Sequence, residues 1–149
     1  MVVVVRGDII SADAEALVNP VNCVGVMGKG LALKFKRTFP DNFRLYETAC
    51  RRGVVRPGSV FVHPVGGDCP RYIINFPTKR HWRDGSVIGD VESGLLSLVG
   101  EIRRLGVVSV AVPALGCGLG GLDWCDVRPL IEGAFSVLPD VRVLLFEPM

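Results

Sequence analysis

Two glycine-rich segments are the parts of this sequence best suited to hold an anion. Gly25–Gly30 and Gly116–Gly121 each follow an apolar run that predicts a β-strand, and each precedes a segment with helical spacing. Glycines in such places let backbone N–H groups approach a ligand without a Cβ in the way. The helix N-terminus that follows favours negative charge. The two loops together predict a ligand whose phosphate or diphosphate is held from both sides.

The common nucleotide-binding motifs fit these loops poorly. Gly116–Gly121 formally satisfies G-x-G-x-x-G, but only one strand follows it. A dinucleotide-binding fingerprint opens its βαβ unit and has an acidic residue about 20 residues later. Gly25–Gly30 is not a P-loop, because Lys29 is not followed by Ser or Thr. A purely structural turn stays open as an alternative for Gly116–Gly121.

Lys79 is the ionisable residue that best suits catalysis. It follows the apolar run Tyr72–Phe76 in a predicted strand-end loop. A partly desolvated lysine can lose its proton and act as a nucleophile, or stay charged and stabilise a leaving group. A solvated surface lysine is the alternative. His63 and His81 are too isolated to predict a catalytic triad.

Three further residues at predicted strand ends have both a binding and a structural interpretation. Asp8 could accept a hydrogen bond from an exocyclic amine such as that of adenine, or it could cap a turn. Asn22 could bond a ribose hydroxyl or close an Asx-turn. Phe146 could stack on a base or fill the core.

The loop after Lys79 is basic and aromatic. Lys79, Arg80 and Arg83 surround Trp82, and this mixture is typical of proteins that hold single-stranded nucleic acid by phosphate contacts and base stacking. We therefore predict DNA contacts for Arg80, Trp82 and Arg83. A solvated charged loop is the alternative.

The alternation of strand-like and helix-like segments predicts an α/β fold: a three-layer α/β/α domain with a mixed, mostly parallel sheet. Ligands of such sheets bind beyond the carboxyl ends of the strands, so both glycine loops, Asn22 and Lys79 should share one edge. Strands are predicted at Val2–Val5, Ala14–Val18, Val60–His63, Tyr72–Phe76, Val107–Val112 and Val141–Phe146. Helices are predicted at Leu31–Phe39, Asn42–Arg52, Asp90–Leu105 and Asp123–Leu138.

Length and composition set outer limits on these predictions. The 149 residues suit one domain. The net charge of +2 is too small to indicate a nucleic-acid binder by itself. No apolar run approaches the ~20 residues of a membrane span. Five cysteines without a CxxC pair indicate reduced thiols in a cytoplasm and argue against a metal site.

The motif set resembles the macrodomain family of ADP-ribose binders, from about Val2 to Phe146. Asn75–Arg80 (NFPTKR) is similar to the branch of DNA ADP-ribosyl glycohydrolases, antitoxins that remove ADP-ribose from thymidine in single-stranded DNA. A sister branch removes terminal ADP-ribose from proteins. The motifs that carry the family resemblance are Gly7–Ile9, Asn19–Asn22, Gly25–Ala32 and Pro113–Gly121, and those that carry the branch also include Met27–Lys36 and Gly116–Trp124.

The resemblance implies a role for each matching position. Lys79 would be catalytic, Asp8 would bind the adenine amine beside Ile9, Asn22 would meet the distal ribose, and Phe146 would lie against the adenosine. The remaining implied ADP-ribose contacts come from the two loops: Gly28, Lys29, Gly30 and Leu31 on one side, and Ala114, Leu115, Gly116, Cys117, Gly118, Leu119, Gly120 and Gly121 on the other.

One position departs from the pattern of the sister branch. That branch has a catalytic Asp where this sequence has Gly120. The departure leaves Lys79 without the expected acidic partner and counts against hydrolysis of a glutamate ester by the same route. Asp123 is close in sequence but cannot be assumed to substitute.

The resemblance also implies partners. The expected substrate is ADP-ribosylated single-stranded DNA, and the expected protein partner is the cognate DNA ADP-ribosyltransferase toxin. No cofactor, metal or membrane is implied, and a cytoplasmic monomer is expected. Residues 1–149 would form a single macrodomain, which could be the N-terminal domain of a longer antitoxin. The alternatives are a hydrolase of protein-linked ADP-ribose or O-acetyl-ADP-ribose, and a non-catalytic ADP-ribose reader.

Overall fold

The computed structural model describes residues 1–149, which form a six-stranded sheet with the order β1-β6-β5-β2-β4-β3. β1, β6, β5, β2 and β4 are parallel, whereas β3 pairs with β4 in the antiparallel sense because no helix separates them. The predicted mixed, mostly parallel sheet is therefore confirmed. The strands are β1 (Val2–Val5), β2 (Ala16–Val21), β3 (Phe61–Pro64), β4 (Tyr72–Pro77), β5 (Ser109–Val112) and β6 (Arg142–Phe146).

Four helices cover the two faces of this sheet and complete the predicted three layers. Alternate residues of β2 face opposite ways: Ala16 and Val18 pack in the large core with α3 and α4, and Leu17 packs with α1 on the other face. Burial on both faces explains why the central strands are apolar throughout. None of the helices is long and apolar enough to cross a membrane. The helices are α1 (Gly30–Thr38), α2 (Pro40–Arg51), α3 (Ile88–Leu105) and α4 (Trp124–Phe135).

β2 extends further than the sequence indicated. The predicted strand ended at Val18, which is wrong, because β2 runs to Val21 and Pro20 pairs with Phe76 of β4. Pairing with β5 stops at Leu17, so the last residues of β2 have one neighbouring strand only. Proline has no N–H to donate, and it is tolerated where one side of a strand is unpaired.

Three fully buried asparagines join α2 to the middle of the sheet. The Nδ2 of Asn75 on β4 donates to Asn42 Oδ1 on α2 at 2.8 Å, and Asn42 Nδ2 donates back to Asn75 Oδ1 at 3.1 Å. Asn19 on β2 donates to the same Asn75 oxygen at 3.1 Å. This network fixes α2 relative to the two strands from which the Gly25–Gly30 loop and Lys79 emerge.

We expect Asn42→Ala to lower the free energy of unfolding by about 1–3 kcal/mol, because it leaves buried polar groups of Asn75 without their partner. Urea denaturation measures the change. Thr48→Ala, at an exposed position of the same helix, should change stability by no more than about 0.5 kcal/mol. Equal effects of the two substitutions would contradict a structural role for the network.

Candidate active site

A single large cavity of about 1320 Å³ lies at the carboxyl ends of the parallel strands. Its walls include Asp8 after β1, Asn22 after β2, Lys79 after β4, Ala114 after β5 and Phe146 at the end of β6. The structure thus brings the two glycine loops, Asn22 and Lys79 to one edge, as the topology predicted. A cavity of this volume admits a ligand of at least nucleotide size.

The first wall is the loop that leads into α1. Gly28, Lys29 and Gly30 are exposed and line the cavity, and α1 begins at Gly30 with no side-chain cap from Lys29. The first N–H groups of a helix have no partner within the helix. Here they are free for an anionic ligand, which the helix dipole also favours. Leu31 continues the same wall.

The second wall is the loop after β5, and two of its predicted members are not part of the lining. Ala114, Gly116, Cys117, Gly118, Leu119 and Gly120 line the cavity. Leu115 instead points into the core, where its side chain is fully buried, and Gly121 lies outside the lining. The implied ADP-ribose contacts of Leu115 and Gly121 stay predictions, and neither residue belongs to the cavity lining.

Cys117 carries the one thiol on this wall. Burial raises its pKa to about 11, so the group is a neutral thiol near pH 7 and a poor nucleophile. The loop can therefore bind a ligand but offers no thiolate for covalent chemistry.

Asn22 closes the first glycine loop, which is the structural one of its two interpretations. Its Nδ2 donates to the carbonyl oxygen of Val26 at 2.8 Å, and its Oδ1 accepts from the N–H of Val24 at 3.0 Å. The buried hydroxyl of Tyr46 also donates to Asn22 Oδ1 at 2.8 Å. Asn22 thus fixes the loop conformation while still lining the cavity.

Asp8, Ile9 and Phe146 line the cavity where β1 and β6 end, on the other side of the sheet from β4 and Lys79. Asp8 Oδ1 accepts from the N–H of Ile10 at 3.0 Å and so caps the short 3₁₀ turn Ile9–Ser11. The carboxylate remains exposed and can accept further hydrogen bonds. Ile9 is buried and Phe146 half-buried, so this end offers apolar surface beside an acceptor.

Lys79 is half-buried on the cavity wall and is fixed through its backbone. The neighbouring Thr78 N–H donates to the carbonyl oxygen of Val21 at 2.8 Å, and the Cys23 thiol donates to the carbonyl oxygen of Lys79 at 3.5 Å. No carboxylate lies within ion-pair distance of the ammonium group. The lysine is therefore positioned by its chain and free to act on a ligand.

Arg80 does not share the orientation of its neighbours. Its guanidinium pairs with the buried Asp90 of α3 at 3.2 Å, and Arg80 does not line the cavity. Trp82 and Arg83 do line it, and Trp82 is 53% exposed between His81 and Arg83. The three residues predicted to contact DNA therefore differ in position. Arg80 holds the loop against α3, whereas Trp82 and Arg83 lie at the cavity.

Gly120 is a glycine because another loop occupies the space of a side chain. A Cβ at this position would lie 2.1 Å from Ser86 Oγ and 2.5 Å from the carbonyl oxygen of Gly116. The Ser86 N–H also donates to the Gly120 carbonyl oxygen at 2.9 Å. With the loops in this arrangement, no acidic side chain fits at position 120. Asp123 is no substitute, because it caps α4 and lies outside the cavity lining.

Sequence reasoning missed two cations of the lining, Lys34 and Arg37. They follow Gly30 by four and seven residues, which places all three on one face of a helix. Gly30 was already predicted to contact the ligand. Its spacing from Lys34 and Arg37 could therefore have placed these two cations at the cavity as well.

Residues 18–131 match the family model described as "Macro domain". The curated "DNA ADP-ribosyl glycohydrolase" of Mycobacterium tuberculosis is 54% identical over 143 residues, which are 95% of this chain and 41% of the relative. This chain therefore spans less than half the length of that relative.

Two solved structures agree with this match. The macrodomain of Mycobacterium tuberculosis DarG is 53% identical and has a TM-score of 0.98, with 100% of this chain and 99% of that chain covered. A structure of Thermosipho africanus DarTG in complex with ADP-ribose is 36% identical with a TM-score of 0.93, and the match covers 99% of this chain and 42% of that one.

We expect Gly120→Ala to lower the free energy of unfolding by about 1–3 kcal/mol, because the new methyl group overpacks the contact with Ser86 and Gly116. Thermal or urea denaturation measures the loss. The matched control is Gly118→Ala in the same loop, where a Cβ would meet nothing within 4 Å and should change stability by less than about 0.5 kcal/mol. The packing argument fails if the two variants lose stability equally.

Proposed function

Since this chain belongs to the Macro domain family, we propose that it is a glycohydrolase that removes ADP-ribose from thymidine in single-stranded DNA. The identity to a DNA ADP-ribosyl glycohydrolase and to the macrodomain of DarG supports this assignment. The ADP-ribose bound to the Thermosipho africanus relative supports the choice of ligand. The observation that carries the catalytic part of the proposal is that Lys79 is half-buried, lines the cavity and has no ion-pair partner.

We place ADP-ribose in the cavity in the following orientation. The diphosphate would lie between Gly28–Gly30 and Gly116–Gly120, where the free N–H groups of α1 point. The adenine would lie at the end formed by Asp8, Ile9 and Phe146, with its amine donating to the exposed carboxylate. The distal ribose would then lie near the Asn22 loop and Lys79.

This placement gives Lys79 a position close to the bond that is cleaved. As the bond between ribose C1″ and thymine breaks, its electrons pass to the base and C1″ gains oxocarbenium character. The ammonium group can stabilise or protonate the leaving base while water supplies the new hydroxyl at C1″. Holding the diphosphate at two walls fixes C1″ and removes part of the barrier.

A second role for Lys79 uses its neutral amine. The amine would attack C1″, expel the base and form a covalent adduct that water then hydrolyses. Such an adduct can open to an imine, so borohydride trapping on Lys79 distinguishes attack from electrostatic assistance.

We expect Lys79→Ala to lower the release of ADP-ribose from thymidine-modified single-stranded DNA by at least about 100-fold, because it removes the group that assists base departure. The measurement offers each variant two substrates: this DNA, and protein ADP-ribosylated on glutamate. Lys36→Ala is the matched control, since Lys36 lies outside the cavity lining and over the Phe43 ring, and it should retain wild-type turnover.

The other outcomes of this assay would indicate a different function or a different role for Lys79. Release from protein but not from DNA would assign the domain to protein-linked ADP-ribose in spite of Gly120. Release from neither substrate, with tight ADP-ribose binding, would make it a reader. Unchanged turnover in Lys79→Ala would remove the catalytic assignment of that residue.

Trp82 tests the nucleic-acid part of the proposal. We expect Trp82→Ala to weaken binding of ADP-ribosylated single-stranded DNA by roughly 5- to 150-fold, the loss of one stacked base, with a much smaller effect on free ADP-ribose. Fluorescence anisotropy or calorimetry measures both affinities, and Trp82→Phe should restore most of the DNA affinity. Equal losses for DNA and free ADP-ribose would contradict base stacking on Trp82.

We propose the biological setting on the same basis. The domain would act as the antitoxin of a DNA ADP-ribosyltransferase toxin by removing the ADP-ribose that the toxin attaches. It would do so in the cytoplasm and as a monomer. The chain covers 41% of the curated relative. The proposal for this chain therefore concerns the removal of ADP-ribose and not direct neutralisation of the toxin.

A further inference from the structure

Asp90 is the one carboxylate that is buried in this protein. It lies in the first turn of α3 and is 8% exposed. The hydrogen bonds to its side chain come from Arg80, whose Nε donates to Oδ2 at 3.2 Å and whose Nη2 donates to Oδ1 at 3.3 Å. A buried carboxylate requires such a partner, and the planar guanidinium holds it through two bonds. The pair thus fixes the Arg80 side chain to a helix.

The geometry that this pair fixes explains it better than stability does. An ion pair with a buried partner adds little net stability, because the loss of hydration offsets the attraction between the charges. The Arg80 side chain is 66% exposed, so water also weakens that attraction. What the pair does provide is a defined position for the chain around Arg80.

That chain segment carries Lys79 and is bonded to the end of β2. The N–H groups of Thr78 and Lys79 donate to the carbonyl oxygen of Val21 at 2.8 and 3.4 Å. The Cys23 N–H donates to the Arg80 carbonyl oxygen at 3.3 Å, and the Cys23 thiol donates to that of Lys79 at 3.5 Å. Burial raises the pKa of this thiol to about 11, so it keeps its proton near pH 7. Residues 78–80 are therefore joined to the start of the first glycine loop.

These main-chain bonds become weaker toward Arg80. The N–H bonds of Lys79 and to Arg80 are 3.4 and 3.3 Å long, whereas well-formed N–H···O bonds are about 2.9–3.0 Å. Beyond Arg80 the chain turns, with the Asp84 N–H donating to the His81 carbonyl oxygen at 3.0 Å, and residues 81–84 form no hydrogen bond to β2 or to the first glycine loop. The Arg80 ion pair is therefore the charged restraint on the chain directly after Lys79.

The position of the Lys79 ammonium group depends on this main chain, because the group forms no ion pair within the protein. A catalytic group misplaced by about 1 Å can cost about 100-fold in rate. We infer that Asp90 is a positioning residue for Lys79 that acts through Arg80, an inference that rests on the proposed function. Neither Asp90 nor Arg80 lines the cavity, so the pair affects the rate and not the binding of ADP-ribose.

The test measures turnover of ADP-ribosyl-thymidine as a nucleoside, which has no flanking phosphates, by the wild type and by Asp90→Asn. Asparagine keeps the size of the side chain and leaves no unpaired buried charge. We expect kcat to fall about tenfold, which corresponds to a displacement of less than about 1 Å, and the Kd for ADP-ribose to change less than about twofold by calorimetry. An unchanged kcat, or an equal loss of ADP-ribose affinity, would overturn the inference.

Arg80 and Asp90 should act as a unit. On the nucleoside, Arg80→Gln and the double variant Arg80→Gln/Asp90→Asn should both show the kcat of Asp90→Asn, because each removes the same pair. Losses that multiply in the double variant would show independent roles and contradict the inference. So would an Arg80→Gln variant that loses activity on a modified single strand and keeps it on the nucleoside, since Arg80 would then contact the DNA.

The matched control is Glu132→Gln. It removes the carboxylate that pairs with Arg128 at 2.9 Å on α4, and both residues lie outside the cavity lining. This variant loses the same charge and one ion pair, and it should keep the wild-type kcat. An equal fall in Glu132→Gln and Asp90→Asn would show a general effect of charge and overturn the inference.

Hydrogen exchange separates this inference from the proposed function. The amides of Thr78 and Lys79 should exchange on the order of tenfold faster in Asp90→Asn, because the segment opens more often, and at the wild-type rate in Glu132→Gln. If the wild type cleaves the nucleoside and Asp90→Asn keeps its kcat, the positioning role is wrong and the glycohydrolase assignment stands. If the wild type cleaves neither nucleoside nor strand, the proposed function fails. Exchange then decides the role of Asp90: unchanged rates overturn it, and faster rates support it.

Discussion

The early separation of β5 from β2 is the constraint on which the site depends. The two strands pair only at Ala16–Val110 and Leu17–Ala111, after which β2 continues along β4 to Val21 and β5 ends at Val112. Strand order reverses between these neighbours, so their connections lead to opposite sides of the sheet. The gap that opens past Leu17 becomes the floor of the cavity, and Pro20, Val21, Pro113 and Ala114 line it.

Hydrogen bonds to α2 fix the first glycine loop and the end of β4 that leads to Lys79. The first glycine loop leaves β2 and is closed by Asn22, which the Tyr46 hydroxyl holds from α2. Lys79 leaves β4, whose Asn75 is bonded to the same helix. One helix thus fixes both elements that would surround the distal ribose, so the separation between anion wall and lysine is set before any ligand arrives.

Much of the fold could be predicted from the sequence because the strands are buried on both faces and therefore apolar throughout. The shared edge of loops and Lys79 followed from parallel topology alone. The features that the sequence did not reveal depend on long-range packing. Pro20 remains in β2 because one side of that strand is unpaired, and Leu115 turns into the core. Arg80 finds Asp90 across a loop, a pairing that no local periodicity reveals.

The contact between Ser86 and Gly120 has a consequence for how this domain can change over time. Ser86 Oγ lies 2.1 Å from where a Cβ at position 120 would stand, and Ser86 Cβ lies 2.9 Å from it. A side chain at 120 is therefore tolerated only together with a new conformation of the loop around Ser86, and neither change is favourable alone. The two positions are therefore coupled, and an acidic residue at position 120 requires a second change in the loop around Ser86.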